Sequence, residues 1–211
     1  MKGIILAAGR GIRMGDMTIS KPKCLISYKN KTLLEHQLDS FKKSNINDIA
    51  IVKGYKKEML SRFKLKEFEN LKWDETNMVS SLLCADEYLK KNPCIVSYSD
   101  IVYSEEAIKI LKGCQHDVAI TYDPNWLQLW SKRFKNPLVD AETFKIDQGN
   151  MLVTEIGKIA NDISEIQGQY MGLIYINPRG WDKLKSVISS VEISKRNSLS
   201  MTELFQIGIN K

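Results

Sequence analysis

Gly9 and Gly11, followed by Arg13 and by Lys23 behind Pro22, are the residues whose types and spacing point most directly to chemistry. The run Leu6-Ala7-Ala8-Gly9-Arg10-Gly11 is built mainly from small side chains. Such a loop lets backbone N–H groups approach a polyanion closely. Arg13 and Lys23 add two fixed positive charges within reach of it. The combination indicates a nucleoside triphosphate and reaction at phosphorus. Two commoner glycine loops are excluded. A dinucleotide-binding turn needs glycines at relative positions 1, 3 and 6, but counted from Gly9 the sixth position is Met14, and Gly15 comes one residue late. A P-loop ends in Gly-Lys-Ser or Gly-Lys-Thr, and no such tripeptide occurs in the chain. A ligand-free turn would account for Gly9 and Gly11 alone; Arg13 and Lys23 at this spacing favour the phosphate reading.

Asp100 is the second chemical residue, in the string Ser97-Tyr98-Ser99-Asp100-Ile101-Val102-Tyr103. A carboxylate just past a strand, in a polyphosphate site, suits Mg²⁺, which binds through one or two carboxylates together with substrate phosphates. The Asp-x-Asp of many glycosyltransferases is absent, since residue 102 is Val. The two histidines, His36 and His116, fall on a polar helix side and in a turn, and read as surface residues. Their scarcity is compatible with attack by a phosphate or phosphonate oxygen, which is already ionised at neutral pH and needs no general base. Aligning two polyanions and neutralising charge on the α-phosphate and the leaving group is then the main task.

A second group of residues has the chemistry to hold an acceptor. Trp126 and Trp130 lie four apart, on one face of a helix, and Arg133, Asp140 and Glu142 follow. Glu165 to Tyr170 adds polar groups near a strand. Aromatic faces with carboxylates suit a cationic amine, and Arg133 can donate a bidentate pair to a phosphate. Paired indoles are also common in cores, so this group is weaker on its own.

These residues need a scaffold that brings them to one place. Ile4–Ala7, Ile49–Val52, Ile95–Tyr98 and Val118–Thr121 read as β-branched strands. Helical patterns alternate with them: Leu34, Leu38 and Phe41 form one apolar face, Met78, Leu82 and Leu89 another, and Ser104 opens a third helix running to Leu111. A helix is also expected across Lys53 to Lys66, with Lys53, Lys56, Lys57, Arg62, Lys64 and Lys66 as its solvated face. Further on, Met151–Ile156 and Tyr170–Ile176 read as strands. Asn177-Pro178 starts a helix carrying Trp181, Leu184 and Ile188, and Ser200 with Glu203 forms a capping box for the last one. Alternation of this kind gives an α/β fold, doubly wound, with a mainly parallel central sheet flanked by helices. Ligands in such sheets sit beyond the carboxyl ends of the strands, where the loops after Leu6 and after Tyr98 both emerge.

Composition narrows the function classes. The 211 residues suffice for one sizeable core and hold no linker-like stretch. We read residues 1–211 as a single domain, with 1–120 as the nucleotide-binding half and 121–211 as the acceptor-binding half. No run of eighteen apolar residues indicates a membrane span, and no signal peptide is expected. Cys24, Cys84, Cys94 and Cys114 are widely spaced and read as reduced thiols of a cytoplasmic protein. The net charge of +6 raises the question of nucleic acid. No RNA- or DNA-binding signature accompanies it, so solvation and steering of anionic substrates are preferred.

The string Leu6-Ala7-Ala8-Gly9-x-Gly11-x-Arg13, followed by Pro22-Lys23, resembles the signature of the nucleotidyltransferases that make sugar nucleotides and CDP-activated compounds. Four further segments sharpen this to the phosphocholine cytidylyltransferase-like subgroup: Asn77-Met78-Val79-Ser80-Ser81-Leu82; Ser97 to Tyr103; Trp130-x-x-Arg133-Phe134-x-x-Pro137-Leu138-x-Asp140-Ala141-Glu142; and Glu165-Ile166-x-Gly168-Gln169-Tyr170-Met171-Gly172-Leu173. The resemblance implies a Rossmann-like fold and transfer of CMP from CTP to phosphocholine, 2-aminoethylphosphonate or phosphoglutamine, with release of pyrophosphate. It implies Arg13 and Lys23 as the catalytic cations and Asp100 as the Mg²⁺ ligand. Leu6, Ala7, Ala8, Gly9, Arg10, Gly11, Gly54, Tyr55 and Asn77 are implied to face the nucleotide. Trp130, Arg133, Asp140, Glu142 and Gln169 are implied to meet the acceptor. Members usually continue past the Met201-Thr202-Glu203-Leu204 helix to a strand with a Trp and a second metal-binding Asp. The expectation is therefore of a truncated C-terminal element, with Asp140 or Glu142 as the substitute carboxylate or with weakened activity. A sugar-1-phosphate nucleotidyltransferase and a catalytically impaired nucleotide-binding domain remain the alternatives, and a homodimer is left open.

Overall fold

The structure, a computed structural model, describes residues 1–211. Its centre is a six-stranded sheet built from β1 (Lys2–Ala7), β4 (Ile49–Lys53), β5 (Lys66–Glu69), β6 (Cys94–Tyr98), β7 (Val118–Asp123) and β10 (Gln169–Ile176), in the order β5-β4-β1-β6-β10-β7. Strands β5, β4, β1 and β6 run parallel, and β10 is antiparallel to both of its neighbours. The expected mainly parallel α/β fold is what the chain adopts. Two small hairpins complete the strand set: β2 (Ser27–Tyr28) with β3 (Lys31–Thr32), and β8 (Glu142–Asp147) with β9 (Leu152–Ile159).

Each face of the sheet is covered. On one side lie α1 (Leu33–Lys43) and α4 (Glu105–Lys112), whose Leu34, Leu38, Phe41, Ile108 and Leu111 pack on Ile5, Ile51 and Ile95. On the other lie α2 (Met78–Leu83), α3 (Asp86–Leu89), α6 (Pro178–Ser190) and α8 (Met201–Ile209), around Ile4, Val52, Val96, Trp181 and Phe205. Alternate residues of β1 thus serve opposite cores, as the two-residue period of a strand requires. A third, small core of Trp126, Ala141, Ala160 and Ile166 joins α5 (Trp126–Arg133) to the β8–β9 hairpin. The short α7 (Ile193–Arg196) precedes α8.

The local signals act where chemistry places them. Thr32 and Glu35 form a reciprocal capping box at α1, and Ser200 and Glu203 form another at α8. The Asn177 side chain accepts from the Gly180 N–H, with Pro178 in the first helical turn of α6. Ser104 precedes α4, but its side chain makes no capping bond. The Met78/Leu82/Leu89 face is divided between α2 and α3.

The expected helix over Lys53 to Lys66 does not form. Lys53 ends β4, two short 3₁₀ turns follow at Lys57–Met59 and Ser61–Phe63, and Lys66 starts β5. Lys56 and Lys64 have left-handed φ values of 46° and 52°, which no helix interior tolerates. The charges are matched within the sheet edge: Lys53 Nζ lies 2.5 Å from Glu67 Oε2, and Lys57 pairs with Glu69. Period and composition suggest a solvated helix face, whereas the two ends of the segment belong to the parallel pair β4 and β5, and the ion pairs accompany that pairing.

Candidate active site

At the carboxyl edge of the sheet, β1 runs out into Ala8 and Gly9, and the neighbouring strand β4 runs out into Gly54 and Tyr55. The Tyr55 N–H donates to the Ala8 carbonyl at 2.8 Å. Gly54 is required by contact, because a Cβ there would lie 2.8 Å from the Ala8 oxygen and 2.6 Å from Trp73 Cβ. Gly9 is different: a Cβ there would meet nothing within 4 Å. Its exposed backbone is the open cradle that a phosphate-binding loop needs. Gly11 has φ 73°, and a Cβ would lie 2.8 Å from Cδ of Lys23, so the loop lies directly on the Lys23 side chain.

Aromatic groups line the side of this loop. The Tyr55 and Trp73 rings lie 5.1 Å apart, the Arg10 guanidinium carbon is 5.8 Å from the Tyr55 ring, and the Tyr55 hydroxyl donates to the Ile19 carbonyl at 2.6 Å. Arg10 Nε is buried without a hydrogen-bond partner. Arg13 lies on the 3₁₀ segment Ile12–Thr18 and is exposed. Lys23 begins a 3₁₀ turn, is half-buried, and donates an ion-paired hydrogen bond to Asp100 Oδ2. The side chains of this pair are 24% and 29% exposed. Exposed ion pairs add only about 0–1 kcal/mol, so this one matters more for where the two charges sit than for stability.

Asp100 occupies the turn two residues past β6, next to β1 in the sheet. Tyr98 links it to the other half of the site. Burial pushes the Tyr98 hydroxyl well above its ordinary pKa, and the negative charges of Asp100 and Glu142 push the same way. The Glu142 carboxyl is itself raised from the ordinary range, chiefly by partial enclosure, with Glu203 and Asp140 adding repulsion against a bond from Thr202.

The acceptor-side residues assemble around the third core. The Arg133 guanidinium carbon lies 5.1 Å from the Trp130 ring and 5.0 Å from the Phe134 ring. Trp130 Nε1 is buried and unpaired, whereas Trp126 is core and donates its Nε1–H to the Ile166 carbonyl at 3.0 Å. Gln169 is buried, and its amide is committed to the Glu142 backbone, donating to the carbonyl at 2.6 Å and accepting from the N–H at 3.4 Å. That ties β10 to β8 and holds Glu142 in place. Asn77 caps α2 and donates to the Ser198 carbonyl at 3.1 Å, which anchors the segment before α8. Its amide nitrogen and oxygen are thus both engaged within the protein. His36 lies 2.7 Å from the Tyr28 carbonyl, and His116 is exposed. Trp73 and Gln37 carry no periodic signal in the sequence: one is an isolated Trp among charged residues, the other a lone Gln on a helix.

A small-residue loop, Lys23 and the carboxylate of Asp100 thus meet at the carboxyl edge of a Rossmann-like sheet, an arrangement that suits a nucleotidyltransferase. Comparison with known proteins agrees. Residues 3–153 match the MobA-like NTP transferase domain, and the chain belongs to that family. It is 38% identical to a CTP:phosphoglutamine cytidylyltransferase of Campylobacter jejuni, over 98% of this chain and 83% of that protein. It is 39% identical to the choline-phosphate cytidylyltransferase of Streptococcus pneumoniae, over 71% and 68% of the two chains. The inositol-1-phosphate CTP transferase of T. maritima shares the fold, with a TM-score of 0.76 at 18% identity over 99% of this chain and 81% of that one.

No helix is long and apolar enough to cross a membrane. All four cysteines are free, and burial raises the Cys24 and Cys94 thiols to about 12, which leaves them unreactive at neutral pH.

Proposed function

We propose that this protein transfers CMP from CTP to a small phosphorylated or phosphonylated acceptor and releases pyrophosphate, with phosphoglutamine the first acceptor to test. One observation carries the reading: the bare Gly9 cradle, Gly54-Tyr55 and the Lys23–Asp100 pair lie at a single sheet edge. The similarity to cytidylyltransferases along most of the chain supports the choice of base and acceptor. The Gly9 backbone would receive the triphosphate, and Arg13 and Lys23 would offset charge on the α-phosphate and pyrophosphate. Arg133, stacked on Trp130, would grip the acceptor phosphate. Residues Asp140 and Glu142 have the charge to attract an amine on the acceptor.

Mg²⁺ fits this site as a shared ligand. No group of three or more metal-binding side chains occurs, whereas a single carboxylate, Asp100, stands where a triphosphate would lie. Mg²⁺ completes its shell with phosphate oxygens and water, and when bound it would polarise the phosphate undergoing attack. Asp100 would hold it through the carboxylate that Lys23 now positions. Free thiols and relatives that act on soluble nucleotides support a cytoplasmic setting.

Pyrophosphate release measured with each of four nucleoside triphosphates, against phosphoglutamine, phosphocholine, 2-aminoethylphosphonate and hexose 1-phosphates, tests the proposal. Turnover is expected with CTP and one of the first three acceptors. Selective use of a hexose phosphate would make this a sugar-1-phosphate nucleotidyltransferase. Nucleotide binding without turnover, indifferent to Asp100→Asn, would indicate a binding domain that has lost catalysis.

A further inference from the structure

Asp100 must be held still to serve the site, yet it lies on a turn outside regular structure. The nearest support comes from the middle of α1. Gln37 is wholly buried, and its Nε2 donates to two carbonyls, Tyr98 at 2.8 Å and Ile101 at 2.6 Å. These carbonyls flank Asp100 on both sides, 61 and 64 residues away from Gln37 in sequence. Both amide hydrogens are therefore spent on one turn. A flipped amide would set Oε1 against two carbonyl oxygens, so the orientation is dictated by the partners. Oε1 remains buried with no donor.

One turn further along the same helix face, Ser40 Oγ donates to the Tyr103 carbonyl at 2.6 Å. Ser44, at the end of α1, lies beyond the turn: its Oγ is 2.9 Å from the Ser40 carbonyl and 3.2 Å from that of Glu105 in α4. The start of α1 meanwhile packs on the turn that carries Lys23. The Leu33 N–H donates to the Ile26 carbonyl at 3.0 Å, and Leu34 shares a core with Cys24 and Leu25. One helix therefore contacts the supports of both members of the Lys23–Asp100 pair, which lie 77 residues apart in sequence.

We propose that Gln37 is a positioning residue: it clamps the Asp100 turn and, through α1, sets the separation between the carboxylate and Lys23. The proposal rests on the cytidylyltransferase reading for its kinetic consequence but not for its structural one. Gln37→Met keeps the side-chain length and removes both donors. Backbone NMR relaxation on the free protein should then show larger motion at Ser99 to Tyr103 and unchanged order in β1 and β4. In turnover, kcat should fall about ten- to a hundredfold, since a small misplacement costs that much. The CTP KM should stay near wild type, and more Mg²⁺ should be needed for half-maximal rate. Gln37→Asn, whose shorter amide reaches fewer partners, should fall between. Ser44→Ala, at the end of the same helix and beyond the turn, should leave backbone order at Ser99 to Tyr103 and kcat unaltered.

Unchanged backbone order in Gln37→Met, wild-type kcat, or an equal loss in Ser44→Ala would overturn the proposal. So would failure of both Gln37 variants to fold, because Gln37 would then be a residue of general stability. Absence of pyrophosphate release from the wild-type protein with every substrate pair would sink the cytidylyltransferase reading instead, and the relaxation measurement would still decide whether Gln37 clamps the turn.

Discussion

The nucleotide side and the acceptor side of this molecule are organised by different means. On the nucleotide side, Ala8, Gly54 and Asp100 sit where parallel neighbouring strands end, and backbone contacts such as the Tyr55 to Ala8 hydrogen bond set their spacing. On the acceptor side, Trp130, Arg133 and Glu142 stand on a helix and a hairpin joined through a core of only four buried residues. Topology positions the first group, and side-chain packing positions the second. The first should therefore tolerate loss of a functional side chain without unfolding, and the second should not tolerate loss of its packing.

The largest effect expected is from Asp100→Asn, with Lys23→Ala beside it: turnover down about 10²–10³-fold, with a melting temperature close to wild type. Kinetics and thermal melts on the same preparations check this, and parallel losses of rate and stability would erase the distinction between the two sides. Arg133→Ala should raise the acceptor KM about tenfold, the scale of one charge-assisted hydrogen bond, while the CTP KM holds. Trp126→Ala, seven residues earlier, should instead destabilise the acceptor side by about 3–5 kcal/mol, as loss of a buried indole does, which a denaturant titration would read. A matched effect of these two substitutions on melting would mean that Arg133 is structural.

The two glycines sharpen the contrast within the nucleotide side. Gly9→Ala should melt like the wild type, because its Cβ would meet no atom within 4 Å, and should weaken CTP binding severalfold if the proposed phosphate site is correct. Gly54→Ala should lose stability and binding together, through collision with the Ala8 carbonyl and Trp73. The smallest effect is expected away from both sides, at Asp117. Hydrogen bonds from Lys183, Arg179 and Asn177 hold its carboxyl far below the ordinary carboxylate range. A lowered folded pKa gives stability that is present above the unfolded value, about 3.9, and lost as pH falls through the folded one. Asp117→Asn should thus lower the melting temperature at pH 7, by an amount that shrinks as the pH is taken below about 4.

Much of the nucleotide side was legible in the chain itself. Ile4 to Leu6 followed by small residues, and Ile95 to Tyr98 followed by Asp100, are local patterns, and a doubly wound sheet brings their ends together. What escaped detection is non-local. The parallel pairing of β4 with β5 stands in place of the helix that charge spacing suggests, and it brings Lys53 to Glu67. Gln169 carries a polar amide near the acceptor residues, but it is occupied by the Glu142 backbone, which only the β8–β10 arrangement reveals. The separation of Trp126 from Trp130 likewise depends on the Ile166 carbonyl that captures one indole and not the other. Periodicity identifies faces; it does not identify the partner on the opposite face.

The reversed direction of β10 has a consequence for how this protein can change. Chain leaves the sheet at the active edge after β1, β4 and β6, but at β10 it arrives there, with Gln169 opposite Asp123 at the end of β7. Everything from α5 through the β8–β9 hairpin is therefore one excursion that departs from that edge and returns to it. Insertions or exchanges within the excursion alter the acceptor surface while leaving the strands that present the triphosphate loop in register. A single continuous stretch of gene can thus be recast to accept a different phosphate ester, with the nucleotide machinery inherited unchanged.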